Sequence, residues 1–343
     1  MNQDSTAQQH SEHIHTAATD TAGHHSTAGE QSGAIPPAQV FTHLLGELGD
    51  HHGFYIFSHK VTDLPYIFYD KDNGLSVYTS PEKLETAGKY TLHHGHPKRV
   101  SDEKSPLLDL SVTNFVAFQW LGFVIMLVMF GIAGRRARKN PTSAPRGIQN
   151  LLEILVVFIR EEVVRPNLPT NKLVDKLTPY FLSLFFFILV LNLLGLVPGG
   201  HSATSAIGTT AALAITAFLV VNYTALKEAG IKAWLHHLLG GAPIFLAPIM
   251  VPIEIIGLFT KPFALTIRLF ANMSAGHIVL LSLVGLIFFF QTLAVAPVSI
   301  GFSVFIYFLE TLVVFLQAYI FTILAAVFVG LAIGDHAHEE HAH

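Results

Sequence analysis

IFLAPIMVPIEIIGLFTKPFALTIRLFANMSAGHIVLLSLVGLIFFFQ, Ile244 to Gln291, is an apolar run whose formal charges are Glu254, Lys261 and Arg268, joined by His277. As one continuous helix it would reach roughly 70 Å, over twice the ~30 Å hydrocarbon core of a bilayer, so it must break, cross twice or tilt steeply. Arg268 is the difficulty. A guanidinium stays charged in proteins, and at a bilayer centre it costs about 2.5–3.5 kcal/mol on insertion scales. A charge kept in such a place should have a job.

The rest of the chain agrees with a membrane setting. Hydrophobic residues make up 51% of it, with 27 Phe and only 13% charged residues. The sequence is mostly polar before Asn114 and mostly apolar after Asp175. This pattern predicts an all-α polytopic membrane protein with a small extramembrane domain in front. The absence of cysteine excludes disulfides, thiol nucleophiles and thiolate metal sites. No basic patch is interleaved with aromatics, so no nucleic-acid partner is expected, and nothing calls for a cofactor.

In chain order, residues 1–34 are a low-complexity Ser/Thr/Ala/His-rich tail that cannot bury a core and reads as disordered. Residues 35–112 read as a small α+β domain. It has an amphipathic helix within 36–57 (Val40, Phe41, Leu44, Leu45, Leu48) and a hairpin from Tyr66–Tyr69 through Asn73-Gly74 to Leu75–Thr79. Residues 113–334 form the membrane domain, and 335–343 a His-rich tail. Five crossings are expected: Thr113–Ala133, Thr178–Val197, Ser205–Leu226, the long run above, and Val298–Ile333. Gly147–Pro166 and KEAGIKAWLHHLLGG (Lys227–Gly241) read as amphipathic helices lying in the interface.

Lys and Arg in the short loops set the orientation. Arg135, Arg136, Arg138, Lys139, Arg146, Arg160, Arg165, Lys172 and Lys176 follow the first crossing, and Lys227 and Lys232 follow the third. The 198–204 and 291–298 loops carry none. The N-terminal domain is thus expected outside and the C-terminus in the cytoplasm. Met1–Gly33 lacks the 7–15-residue apolar segment of a secretory signal, so a signal upstream of this Met1 is expected.

Two polar stripes mark the last two crossings. Glu254, Lys261, Arg268, Ala275 and Ser282 recur every seven residues, with Asn272 one turn beyond Arg268. Ser303, Glu310 and Gln317 do the same in the last helix, with Tyr307 beside Glu310. His277 lies nine residues past Arg268, about half a turn round at ~100° per residue. Arg268 can therefore face a second protein while His277 faces Glu310. Two plainer readings stand beside this one: polar residues that only glue helices together, and a structural Arg268–Glu310 ion pair. Lys261 has its own plain explanation, snorkelling to the interface.

TKPFALTIRLFANMSAGHIVLL (Thr260–Leu281), PIEIIGLFTKP just upstream, NLLGLVPG (Asn192–Gly199) and FLETLVVFLQAYIFTILAAVFVG (Phe308–Gly330) together resemble the a subunit of the F-type ATP synthase, over about Thr113 to Gly334. The resemblance implies a membrane-sector subunit, not an enzyme on its own, in a bacterial cell inner membrane. Its partners would be a ring of c subunits, the b subunits of the peripheral stalk and the whole synthase. It implies that Arg268 faces the ring, that Asn272 and Gln317 flank it, and that His277 and Glu310 form an ionisable pair. Many bacterial members carry that pair with the residue types exchanged. The family's two long helices are steeply tilted, which would resolve the length problem. Glu254 would line the cytoplasmic exit of the proton path, with Lys261, Ser303 and Tyr307 in supporting positions. HSATSAIGTT lacks an acidic residue often found near that loop. The moving ion, proton or sodium, would be chosen by the ring.

The rival function is a stand-alone secondary ion transporter, which predicts internal repeats that the two unlike long helices do not provide. A membrane metalloprotease would need a third ligand beside His277 and Glu310. Twelve histidines in residues 1–110 and four in the tail have no fixed ligand spacing, and read as solvated filler or weak metal or proton buffering.

Overall fold

The computed structural model describes residues 50, 52–56, 59–71, 74–93, 96–101, 104–139, 146–197, 202–231, 234, 244–290, 292 and 294–334. The amphipathic pattern at Val40–Leu48, most of the second interfacial helix and both His-rich tails lie outside these residues.

The extramembrane part is built from short antiparallel pairs. β1 (Gly53–Ile56) pairs with β2 (His59–Asp63), and β3 (Tyr66–Asp70) with β4 (Gly74–Tyr78). After helix α1 (Pro81–Thr86), β5 (Tyr90–His93) pairs with β6 (His96–Arg99), and β7 (Leu108–Asp109) joins the far edge of β3. The β3–β4 hairpin is the one the sequence predicts, and Gly74 takes the left-handed conformation, φ 63°, that closes it. The end of the expected helix over 36–57 is instead strand β1, because Phe54, Tyr55 and Ile56 are strong strand formers. α1 begins with the Ser80 side chain accepting from the Lys83 amide and with Pro81 in its first turn.

Tyr66, Phe68, Leu84 and Tyr90 fill the small core. Beside it the buried Asp70 meets Arg99, whose Nη1 lies 3.1 Å from Oδ2. The domain leads directly into the first long helix: Val112 donates to the Pro65 carbonyl, and the Phe115 amide donates to Asp50 Oδ1 at 3.4 Å.

The remainder is helical, with five helices long and apolar enough to cross a membrane among the described residues. These are α2 (Asn114–Lys139), α4 (Asn171–Leu196), α5 (Ile207–Glu228), α6 (Ala247–Phe290) and α7 (Ala296–Gly334). Between α2 and α4 runs α3 (Ile148–Phe158), continued by a π-helical stretch, Ile159–Val164, and a turn, Arg165–Asn167. The apolar surface of α3 and its continuation is divided: Leu152 and Ile159 are buried in the bundle, while Leu151, Ile154 and Phe158 are exposed. That division suits a helix lying between protein and lipid.

α2 ends and α4 begins about two turns beyond the apolar limits. α4 begins at Asn171 because Leu173, Val174 and Leu177 bury one face of an otherwise polar opening turn. α4 is the centre of the bundle, with Phe181, Phe185, Phe186, Ile188 and Leu191 buried. Charges gather at its start, where Arg160 meets Asp175 and Lys176 meets Glu228, each at 2.6 Å.

α6 does not break. It runs 44 residues through Pro252 and Pro262, about 66 Å at 1.5 Å per residue, so one crossing within a ~30 Å core requires a steep tilt. α7, with 39 residues, faces the same constraint. The two helices pack against each other and against α5, and α7 also lies along α4. Their other flank carries uncovered apolar side chains, including Phe259 and Phe263 on α6 and Phe305 and Phe308 on α7.

Gly330 fixes one crossing. A Cβ there would fall on the backbone carbonyl oxygen of Asn167, which no rotamer change can move aside. Gly330→Ala should therefore destabilise the bundle by about 1–3 kcal/mol, as overpacking does, and lower the amount of folded chain in membranes. Wild-type thermal stability in detergent would contradict this packing.

Candidate functional site

The two long helices bring together most of the residues that the sequence singles out. Asn272 Nδ2, on α6, donates to Gln317 Oε1, on α7, at 2.8 Å. Gln317 is buried. Further along, His277 Nδ1 approaches Glu310 Oε1 at 3.8 Å, with both side chains largely withdrawn from the surface. Both pairs fall along one seam because α6 and α7 run antiparallel: the step from Asn272 to His277, about 7.5 Å, is met by the step from Gln317 back to Glu310, about 10.5 Å.

Gly276 makes the Glu310 approach possible. A Cβ at 276 would lie 2.5 Å from Glu310 Oε1 and 2.8 Å from its Cδ. Glu310 therefore occupies the space a larger residue would take. Its oxygens accept no hydrogen bond from a described residue. A buried carboxyl in this position, beside an imidazole, can take up and hand on a proton.

Arg268 sits elsewhere. It is exposed, and among the described residues no carboxylate lies within ion-pair distance of it. Glu310 meets His277, so the structural Arg268–Glu310 pair is not formed. Ala264, Ala271 and Ala275, which share the face of Arg268 at helical spacing, are exposed too, which puts the cation on an apolar flank that its own chain leaves uncovered.

A second polar group lies at the end of α4. Asn192, Ser202 and Thr204 are all buried. Thr204 donates to Asn192 Oδ1 at 2.6 Å, and the Ser202 and Thr204 hydroxyls are 2.9 Å apart. Two links tie this group to the long helices. Tyr307 donates its hydroxyl to the Leu196 carbonyl at 2.9 Å, and Ser274 donates to the Ser205 carbonyl at 3.4 Å. Tyr307 and Ser274 each stand three residues from Glu310 and His277, one helical turn away.

At Gly195, near the end of α4, a Cβ would lie 2.5 Å from Ser202 Cβ, leaving no space for a side chain. Asn192, Ser202, Thr204 and Ser274 are missed when charge alone is followed, since neutral polar residues in an apolar run look like helix glue. Ser299 and Ser303 extend the α7 stripe, each with a buried hydroxyl lacking a hydrogen-bond partner among the described residues.

Glu254 and Lys261 are not part of this cluster. Glu254 is 23 residues before His277, about 35 Å along α6. Lys261 does more than snorkel: its Nζ lies 5.6 Å from the centre of the Phe328 ring, over an apolar hollow walled by α5, α6 and α7.

Residues 116–330 match the protein family described as ATP synthase A chain. A protein named ATP synthase subunit a from Chloroherpeton thalassium is 50% identical over 238 residues, which are 68% of this chain and 71% of its own. One of the same name from Chlorobium phaeobacteroides strain BS1 is 50% identical over 238 residues, 68% of this chain and 70% of its own. In Myxococcus xanthus the ATP synthase subunit a is 42% identical over 250 residues, 72% of this chain and 82% of its own.

The absence of native cysteine gives a direct check of the geometry. His277→Cys combined with Glu310→Cys should be bridged by a short bis-thiol reagent in membranes, and Arg268→Cys combined with Glu310→Cys should not. Equal bridging of both pairs would mean that Arg268 does not face away.

Proposed function

Because the chain belongs to the ATP synthase A chain family, we propose that it is the membrane-sector subunit that couples proton flow to rotation of a ring of c subunits. The observation that carries this reading is Arg268, a permanent cation on an uncovered apolar flank with no carboxylate partner among the described residues. Such a charge is strongly disfavoured in hydrocarbon unless something opposite it is acidic. A rotor carboxylate passing in the membrane is the partner that fits.

The chemistry follows from two opposing needs. A carboxyl travelling through lipid must be neutral, and one giving up its proton must ionise. A fixed cation within about 4–6 Å favours the ionised form. Arg268 thus strips the proton from each arriving rotor carboxyl and bars direct passage between the two half-channels. Arginine suits the role because it does not itself deprotonate, whereas a buried lysine can.

Glu310 and His277 relay protons in the outer half-channel. The buried hydroxyls and amide at Asn192, Ser202 and Thr204 supply a polar approach, linked through Ser274 and Tyr307. Asn272 and Gln317 hold the two helices in register beside Arg268. Glu254 lines the cytoplasmic exit at the far end of α6, with Lys261 two turns inside it. The Lys/Arg asymmetry puts the N-terminal domain in the periplasm and the C-terminus in the cytoplasm of a bacterial inner membrane. Peripheral-stalk b subunits complete the stator, and the ATP-forming chemistry belongs to other subunits of the synthase.

Arg268→Ala should abolish ATP-driven proton pumping in inverted vesicles, read by quenching of an acridine dye, with the complex still assembled. Pumping at the normal rate would overturn the role. Gly276→Ala tests the relay separately: the flexible end of Glu310 can swing aside, so assembly should persist while pumping falls by about ten-fold or more, within the usual range for a displaced proton-transfer group. Undiminished pumping in Gly276→Ala would remove Glu310 from the path and leave Arg268 untouched.

A further inference from the structure

A cavity of about 470 Å³ lies between the end of α2 and the start of α3, well apart from the polar cluster. That volume falls within the ~300–1,000 Å³ of ordinary small-ligand pockets. Val128 and Ile132 of α2 and Ile148 and Leu152 of α3 supply its apolar walls, and Arg136 and Gln149 stand at its polar end. Arg136 occupies the last turn of α2 together with Arg138 and Lys139, and from Gly134 to Gly147 the sequence has no Asp or Glu. Among the described residues Arg136 makes no ion pair, and Glu153, the first carboxylate along α3, makes none with it.

We propose that this groove seats an anionic phospholipid, with an acyl chain along Val128 and Ile132 and its phosphate against Arg136 and Gln149. Charge complementarity selects this occupant. A cluster of cations with no acid among them favours a phosphate over a zwitterionic headgroup, which brings its own positive charge against the arginines. Basic pockets between membrane helices on the cytoplasmic side are where anionic headgroups bind, and the Lys/Arg count assigns this loop to that side. The apolar length below Arg136 belongs to a helix that spans the bilayer, so an acyl chain entering the groove stays in hydrocarbon. The exposed Leu151 and Ile154 of α3 continue the same lipid-facing surface. This site does not depend on the reading of Arg268.

The experiment uses the whole synthase reconstituted in phosphatidylcholine vesicles containing a minority of phosphatidylglycerol. One lipid or the other carries a photoreactive diazirine in its acyl chain. Phosphatidylglycerol should label peptides of α2 and α3 about five-fold more than phosphatidylcholine, the preference that one cation near an anionic surface is worth. R136Q should bring the two lipids level, and R136K should keep most of the difference. Proton pumping in R136Q serves as the folding control, since Arg136 is exposed and outside the proposed proton path. Equal labelling by both lipids in the unaltered complex would reduce the groove to annular lipid. A photoreactive amino acid replacing Val128 that traps a polypeptide would show that a partner's helix fills it. Either result overturns the proposal.

Discussion

A guanidinium that cannot be neutralised and an apolar surface that has no use for it are set against each other at Arg268, and much of the architecture can be read as the consequence. α6 carries the cation on a flank where Ala264, Ala271 and Ala275 are uncovered. Had Glu310 turned toward Arg268, the two charges would have satisfied one another inside the chain and left the flank inert. Glu310 instead lies against His277. The free energy of the exposed cation is then available to whatever acid comes opposite, which is why the proposal places a rotor carboxylate there.

Keeping Glu310 where it is depends on very little material. Gly276 gives it room, the Tyr307 hydroxyl anchors the preceding turn of α7 to the Leu196 carbonyl, and Asn272 fastens α6 to Gln317 on the following side. Two hydrogen bonds about three turns apart on α7 bracket the carboxyl, so sliding of one helix past the other is resisted on both sides of it. Hydrogen bonds between membrane helices are individually modest, averaging about 0.6 kcal/mol in one well-studied protein. They act here as register marks, and the packing along α4, α5 and α7 supplies the bulk of the cohesion.

Much of this is legible in the sequence itself. The seven-residue rows of α6 and α7 depend only on helical periodicity, so spacing offers the pairing of His277 with Glu310 as one reading, while leaving an Arg268–Glu310 ion pair open beside it. The five crossings followed from apolar length. The misses have physical reasons. α4 begins at Asn171 because its polar opening turn is held by buried Leu173 and Val174, a tertiary effect that local hydropathy does not carry. β1 replaces the end of an expected helix because a short aromatic and β-branched run was absorbed into a helical pattern upstream. The Asn192–Thr204 group was invisible for a different reason: two segments distant in space until folded must meet before their hydroxyl and amide become one site. The roles of Gly195 and Gly276 were equally hidden, since a glycine's function there is the volume of another residue's side chain.

The half-turn between Arg268 and His277 gives the proposed mechanism its insulation. A proton relay that shared a face with the stator cation would place an imidazole, itself able to become positive, beside a fixed positive charge, and like charges disfavour the protonated form. Nine residues of a rigid helix remove that conflict by turning the two groups to opposite sides and separating them by about 13 Å along the axis. The imidazole faces a carboxyl of its own chain, and the guanidinium faces outward. One unbroken helix can therefore hold a group that must never change its charge and a group whose use lies in changing it. Pro262 precedes both without interrupting the helix between them. A break in that interval would let the two faces rotate independently, and the separation would no longer be guaranteed by covalent geometry.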